Sequence, residues 1–479
     1  MRGLYSLLLR ILSPLLLGWM ALRARRAGGR WSVLGASRFG RYGRTGDDPG
    51  AVWIHAVSLG ETRAAHPLIR ALLDRGHRVL LTHLTATGRA EGERAYAAEL
   101  ADGRLRQDWL PYDFPGATRR FMRYHRPAVG VLIEREVWPN LVRAAVESGV
   151  PLVLASARMS ASSLRGTLRL GALLRPAYGA LTRTYAQSLA DARRLERAGA
   201  RQVAVSGNFK FDLPLDRERM TRGAGFAARL GRRIVVIAST REGEDAPFVE
   251  AIRQQVGLRR ARGDDSGPPL LFVLVPRHPE RFEAAAGLLR AAGLAHVRRS
   301  RLLELGDDSS PAVEACRDAD VILGDTLGEM AWYYACAQVA IVGGSFAPLG
   351  GQNFIEASAQ GRPVLVGPHT AHFEQAVGDA LAAGAIARAA DPDQAVRQAL
   401  RWLDDPAGLH RMGEAARDWV RQHAGAVARV VDGIETLLAS APGLAMLRCL
   451  STSPLASGSD SSGTEQSAGT ASRPDSSSR

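Results

Sequence analysis

The sequence predicts an α/β protein of two doubly wound domains facing each other across a cleft, preceded by an N-terminal membrane anchor. Three observations predict it. Short β-rich apolar runs alternate with segments whose apolar residues fall at helical spacing, the pattern of parallel strands joined by crossover helices. The alternation occurs twice, on either side of Leu213–Gly231, a charged, Gly-rich stretch that has no strand run and reads as a linker. The chain is also long and apolar enough for two cores, with 479 residues, 46% of them hydrophobic and 23% charged.

In chain order, residues 1–30 read as the anchor. Leu4 to Leu22 is apolar but interrupted by Arg10 and Pro14, and Arg23, Arg25 and Arg26 stand where a signal peptide would need small residues. Residues 1–50 hold nine arginines against Asp47 and Asp48, so this tenth of the chain carries half of its +14 charge. Whether the helix spans or lies flat, such a basic flank holds the body on the cytoplasmic face, against anionic headgroups.

The first domain, 31–215, takes strands from Ala51–Val57, Arg78–Thr82, Ala128–Ile133, Pro151–Ala155 and Gln202–Val205. The second, 216–445, takes them from Ile234–Ala238, Leu270–Val275, Asp320–Leu323, Gln338–Val342 and Pro363–Val366. From 446 the chain is a tail, with 11 serines in residues 451–479 and almost nothing to bury, which predicts disorder.

Composition excludes several functions. Cys316, Cys336 and Cys449 form no C-x-x-C pair, so a disulfide framework and a Cys-rich zinc module are out, and a reducing compartment fits. All but one of the 62 basic residues are arginine, and the one lysine, Lys210, follows Phe209; a Walker A loop is impossible. No G-x-G-x-x-G follows either domain's first strand, and H-E-x-x-H and G-x-S-x-G are absent. Asp318-Ala319-Asp320 precedes a strand and Asp391-Pro392-Asp393 is a turn, so both read as structural and no metal is required. The charge alone would suit a nucleic acid, but no aromatic–basic interleaving supports one.

Ligands of open α/β sheets sit beyond the carboxyl ends of strands. Glu61 follows the first strand. With a helix expected to start near Pro67, it lies on the intervening loop, as a general base or as a carboxylate at the helix's positive end. Glu134 and Glu136, two apart, would share one face of a strand, with Arg135 opposite; such a pair needs a cation, a shared proton or a substrate hydroxyl. Lys210 arrives where the chain enters the cleft, a compact cation for developing negative charge. In the second domain, four loops at successive strand ends are rich in glycine, hydroxyls or Arg: Ser239–Glu244, Pro276–Pro279, Gly324–Glu329 and Gly343–Glu356. Together they point to a nucleotide.

These segments, in this order, resemble the 3-deoxy-D-manno-octulosonic acid (Kdo) transferases of lipopolysaccharide synthesis. The resemblance rests on Trp53–Glu61, Glu134–Asn140, Gly207–Asp212, Val275–Phe282, Gly324–Glu329 and Gly343–Glu356, and runs to about residue 430. It implies a GT-B fold of two Rossmann-like domains and an inverting, metal-free, cofactor-free transfer from CMP-Kdo to the lipid A precursor at the inner membrane. Glu61 would be the base, and Lys210 with one of Glu134 and Glu136, Glu134 first, would stabilise the transition state. CMP contacts would fall on Pro276 and Arg277, on Leu327, Gly328 and Glu329, and on Asn353, Phe354, Ile355 and Glu356. Departures from the family pattern include Gln352 and Arg241. A GT-B enzyme for another nucleotide sugar, and a non-catalytic nucleotide-binding protein, are the competing readings.

Overall fold

The computed structural model describes residues 1–26, 31–43, 49–212, 214–262, 269–306 and 309–440. The serine-rich tail, and with it Cys449, lies outside the described residues. Two seven-stranded sheets form the body. The first contains β1 (Val52–His55), β2 (Val79–His83), β3 (Leu105–Trp109), β4 (Val129–Ile133), β5 (Leu152–Ala157), β6 (Arg183–Ala186) and β7 (Val203–Val205), in the order β3-β2-β1-β4-β5-β6-β7. The second contains β8 (Arg233–Thr240), β9 (Leu270–Pro276), β10 (His296–Arg298), β11 (Val321–Leu323), β12 (Val339–Val342), β13 (Val364–Val366) and β14 (Ile386–Arg388), in the order β10-β11-β9-β8-β12-β13-β14. Every strand pair is parallel.

Helices cover both faces of each sheet, so the central strands are apolar on both sides. In β1, Val52 and Ile54 enter one core layer and Trp53 the opposite one. In β8, Ile234, Val236 and Ala238 face one layer, Val235 and Ile237 the other. The sequence reading missed β3, β6, β10 and β14. Three of these are sheet edges, and β3 and β6 carry polar residues (Arg106, Gln107, Asp108; Arg183, Thr184) that break an apolar run.

Two boundaries differ from expectation. Most of Leu213–Gly231 is a helix, Arg217–Leu230, started by the Asp216 side chain and packed through Phe226 on Trp332 of the second domain. The last helix, Ala426–Ala439, returns to the first domain, where Val427, Val430, Val431 and Ile434 join the core over β1 and β4.

The N-terminal helix runs unbroken from Arg2 to Arg26. Pro14 has no N–H for the Arg10 carbonyl, and the Ser13 hydroxyl donates to that oxygen instead, at 2.9 Å. The helix lies against the first domain. The Tyr5 hydroxyl donates to Asp113 at 3.0 Å and the Asn140 amide to Ser6 Oγ at 3.1 Å. Leu4, Leu8, Ile11, Leu15 and Trp19 face outward and are exposed. Arg38, counted above with the basic flank, is instead buried: it stacks on Trp109 at 4.0 Å and donates to the carbonyls of Trp31, His83, Leu110 and Leu84.

His55 and His83 are fully buried on adjacent strands, and burial pushes their pKa from the usual 6.5 down to about 3 and about 4. A base that cannot charge when folded holds its stability above the unfolded value and loses it as pH falls through 6.5. Relative to His83→Gln, the wild type is therefore expected to lose up to about 1.4 kcal/mol per pH unit below about pH 6.5 in urea melts.

Candidate active site

The order of each sheet reverses direction between two strands, β1 and β4 in the first and β8 and β12 in the second. The loops after these four strands flank the crevice where open sheets bind ligands. Glu61 follows β1 and Glu134–Glu136 follow β4; Arg241–Glu244 follow β8 and Gly343–Ser345 follow β12.

Glu61 is not on a loop. Ser58 caps a helix, Leu59–Asp74, that begins eight residues before Pro67, so Glu61 sits in its first turn. Its carboxylate turns back to accept the Val57 N–H at 2.6 Å, while its own N–H reaches Ser58 Oγ at 3.4 Å. Burial first, then the charges of Glu136 and Glu134, push the Glu61 pKa from 4.5 up to about 7. The carboxylate complements the helix end, and its surroundings disfavour its charge.

Glu134 and Glu136 do not share the face of a strand. β4 ends at Ile133, and Glu134 turns at φ +62°, a left-handed backbone that is costly for a non-glycine. The turn sends the two side chains to different partners. Arg158 Nε donates to Glu134 at 2.8 Å, and the Trp138 indole donates to Glu136 at 2.9 Å. Ser156 at the end of β5 and Ser239 at the end of β8 are also left-handed, at φ +49° and +57°. Strained backbone thus gathers at the carboxyl edges of both sheets.

Lys210 lies in a short helical turn, Phe209–Asp212, that joins the two domains. Its backbone N–H donates to Asn208, whose amide donates to Gln187, which in turn donates to Ser156. Asp212 accepts the N–H groups of Gly425 and Val427 at the start of the returning helix. The Lys210 ammonium sits 4.3 Å from the centre of the Phe373 ring, in the second domain. Burial holds its pKa below the usual lysine value, and the nearby Glu134 charge works the other way.

Glu244 organises the second domain's loops. It is buried, and its two oxygens accept four backbone N–H groups: Arg241 (2.8 Å), Gly344 (2.6 Å), Phe346 (2.8 Å) and Ala347 (3.1 Å). A Cβ on Gly343 would stand 2.8 Å from Thr240 Cα and 2.9 Å from the Glu244 carboxylate, so only glycine fits. Arg277 is half-buried beside this loop. Its pKa is lowered by burial and then by the charges of Arg63, across the cleft, and Arg241. Three guanidiniums from two domains converge where an anion would relieve them.

The remaining expected contacts divide. Leu327 is exposed and Gly328 adopts φ +80°, leaving this loop open to a ligand. Glu329 turns inward, accepting from the buried Arg299 at 2.8 Å and from Thr326. Pro276, Phe354 and Ile355 are buried, the last two in the core, with Phe354 stacked on Trp419 at 5.5 Å; only their backbones are left to meet a nucleotide. Asn353 accepts the Ile355 N–H, and burial raises the Glu356 pKa to about 7. Asp320 is held by Arg260 at 2.8 Å, and Asp391 caps a helix, so both Asp-x-Asp pairs have structural duties. Sequence reasoning did not single out Arg63 or Arg158, and named Glu244 only as the end of the Ser239–Glu244 loop. Only Glu244, a carboxylate opening a helix after a strand-end loop, carried a readable signal.

A family model described as 3-deoxy-D-manno-octulosonic-acid transferase (kdotransferase) matches residues 35–213. The 3-deoxy-D-manno-octulosonic acid transferase of Bordetella pertussis is 54% identical over 439 residues, covering 91% of this chain and 99% of the relative. The chain belongs to the Kdo transferase family. The enzyme of the same name from Haemophilus influenzae is 30% identical, again over 91% of this chain and 99% of the relative. Among solved structures, a glycosyltransferase from Rickettsia africae matches with TM-score 0.51 at 11% identity, over 81% of this chain and 99% of its own. The UDP-GlcNAc 2-epimerase of Neisseria meningitidis matches with TM-score 0.52 at 14% identity, over 81% and 100%. These likenesses place the two sheets in the GT-B fold. Membership of the Kdo transferase family makes this chain a glycosyltransferase.

Glu244→Ala leaves four N–H groups without their acceptor. It is expected to lower stability by at least about 3 kcal/mol in chemical denaturation.

Proposed function

We propose that this Kdo transferase moves Kdo from CMP-Kdo to the phosphorylated disaccharide of the lipid A precursor, lipid IVA, with inversion, without metal, and with Glu61 as the base. The observation that carries this reading is the place of the Glu61 carboxylate, at the first sheet's switch point and on the Val57 N–H, close enough to Glu136 and Glu134 for their charges to raise its pKa. An acceptor hydroxyl placed against Glu61 gives up its proton as its oxygen attacks the anomeric carbon. The bond from that carbon to the phosphate oxygen breaks on the opposite face, and CMP leaves with the electron pair, so the configuration inverts.

Charge compensation is assigned to side chains. Arg277 and Arg241, with Arg63 reaching across the cleft, would take the donor's phosphate and carboxylate. Lys210 lies close enough to Glu134 for their charges to interact, which supports this pair as the stabilisers of the positively charged sugar and its leaving group. The backbones of Pro276 and of Asn353–Glu356, with the Gly328 loop, would hold the cytidine.

Membrane attachment at the cytoplasmic face of the inner membrane belongs to the same proposal. The N-terminal helix is, among the described residues, the one long and apolar enough to cross a bilayer. Its contacts with the first domain, from Tyr5 to Met20, support a helix lying in the interface plane with its leucines in lipid.

Purified enzyme given CMP-Kdo and lipid IVA in EDTA should turn over, and Glu61→Gln should lose about 10²–10⁴-fold in kcat. Product mass then counts the sugars added, whereas CMP binding without turnover would indicate another donor. Because Glu61 must be ionised, kcat/KM should fall as pH drops below about 7. Glu136→Gln removes a charge that raises the Glu61 pKa, so that acidic limb should move to lower pH.

A further inference from the structure

We infer that the N-terminal helix is part of the acceptor site: its first two turns form one wall of a groove that takes an acyl chain of the lipid acceptor. The inference rests on the lipid-acceptor reading above.

The groove, about 630 Å³, runs from the helix to the acid loop after β4. Leu4 and Leu8 line it from the N-terminal helix, and Leu170 and Leu173 line it from the helical segment 161–179. Leu4, Leu8 and Leu170 are each about half exposed, at 54%, 47% and 57%, so apolar surface faces solvent on both walls. The same groove is lined by Glu136 and by Arg135, Arg158 and Arg169, of which Arg158 is paired with Glu134. Apolar walls beside arginines complement one kind of occupant, an acyl chain attached to a phosphorylated sugar. A nucleotide leaves the leucines uncovered, and a peptide supplies no reason for the arginines.

A helix that only tethers the enzyme needs no fixed register on the domain. This one has it. Tyr5 and Ser6, one turn from the start, bond to Asp113 and Asn140. Asp113 in turn accepts the N–H groups of Asn140 and Leu141, at 3.1 and 2.7 Å, at the start of the helix that follows Trp138. The anchor, the groove and Glu136 are thereby held as one unit. An acyl chain bound here lies along the helix and brings its sugar to the cleft.

The test compares two pairs of substitutions on the same face of the helix. Leu4→Ala/Leu8→Ala removes the groove wall; Ile11→Ala/Leu15→Ala removes two side chains of the same size, more exposed than the first pair, one to two turns further on. Binding to anionic phospholipid vesicles should weaken in both, and at least as much in the distal pair. Transfer is then measured with two acceptors, a short-chain acylated glucosamine disaccharide phosphate kept below its micelle concentration, and its deacylated form. The groove pair should raise KM for the acylated acceptor about tenfold and leave the deacylated one unchanged, while the distal pair changes neither. Equal KM for both variant pairs overturns the inference and leaves the helix as a tether. Higher KM for the deacylated acceptor in the groove pair also overturns it, because the damage then lies in the catalytic loop. Lack of wild-type transfer to either acceptor instead refutes the lipid-acceptor reading on which it rests.

Discussion

Parallel pairing in both sheets is the constraint from which the site follows. A parallel strand can return only through a crossover, so every loop from strand to helix leaves the same edge. With two such sheets joined by the Phe209–Asp212 turn and tied again by the returning C-terminal helix, the two carboxyl edges are directed at one another. The switch points then put four loops into the crevice, one pair acidic and one pair rich in N–H groups and guanidinium. The meeting of these four loops is a consequence of topology before any side chain is considered.

Electrostatics makes the acidic pair usable. Three carboxyls crowded at one edge would ordinarily be screened by water or paired with cations. Here Arg158 takes Glu134 and the Trp138 indole takes Glu136, while Glu61 has only backbone donors and sits where burial and its neighbours disfavour the charge. The cost is carried locally by the left-handed Glu134 and Ser156. On the other side, Glu244 spends its whole hydrogen-bonding capacity on four backbone N–H groups, fixing the loop beside Arg241 and Arg277 rather than meeting a ligand itself.

Much of this was legible in the sequence. Long apolar runs such as Ile234–Ala238 and Leu270–Val275 announce central strands because both their faces are buried. Glu61, Glu134, Glu136 and Lys210 stand out because each follows a strand. The edge strands β3, β10 and β14 were not legible, since an edge tolerates polar residues and short length. The Arg217–Leu230 helix was hidden by glycines and charge, its position being set by packing on Trp332. The turn at Glu134 was invisible as well, because only tertiary context compels a glutamate into a left-handed backbone. Arg63 and Arg158 were lost among the chain's 62 basic residues, whose type carries no information in so Arg-rich a chain.

The central claim is that this edge of the molecule holds one carboxyl, that of Glu61, near neutrality. Carboxyl-selective ¹³C NMR or difference infrared titration of wild type against Glu61→Gln reads that group directly. A Glu61 pKa of about 7 is the value the account predicts. An ordinary value near 4.5 would contradict it, because desolvation of this part-buried carboxyl and the charges of Glu136 and Glu134 would then have no effect.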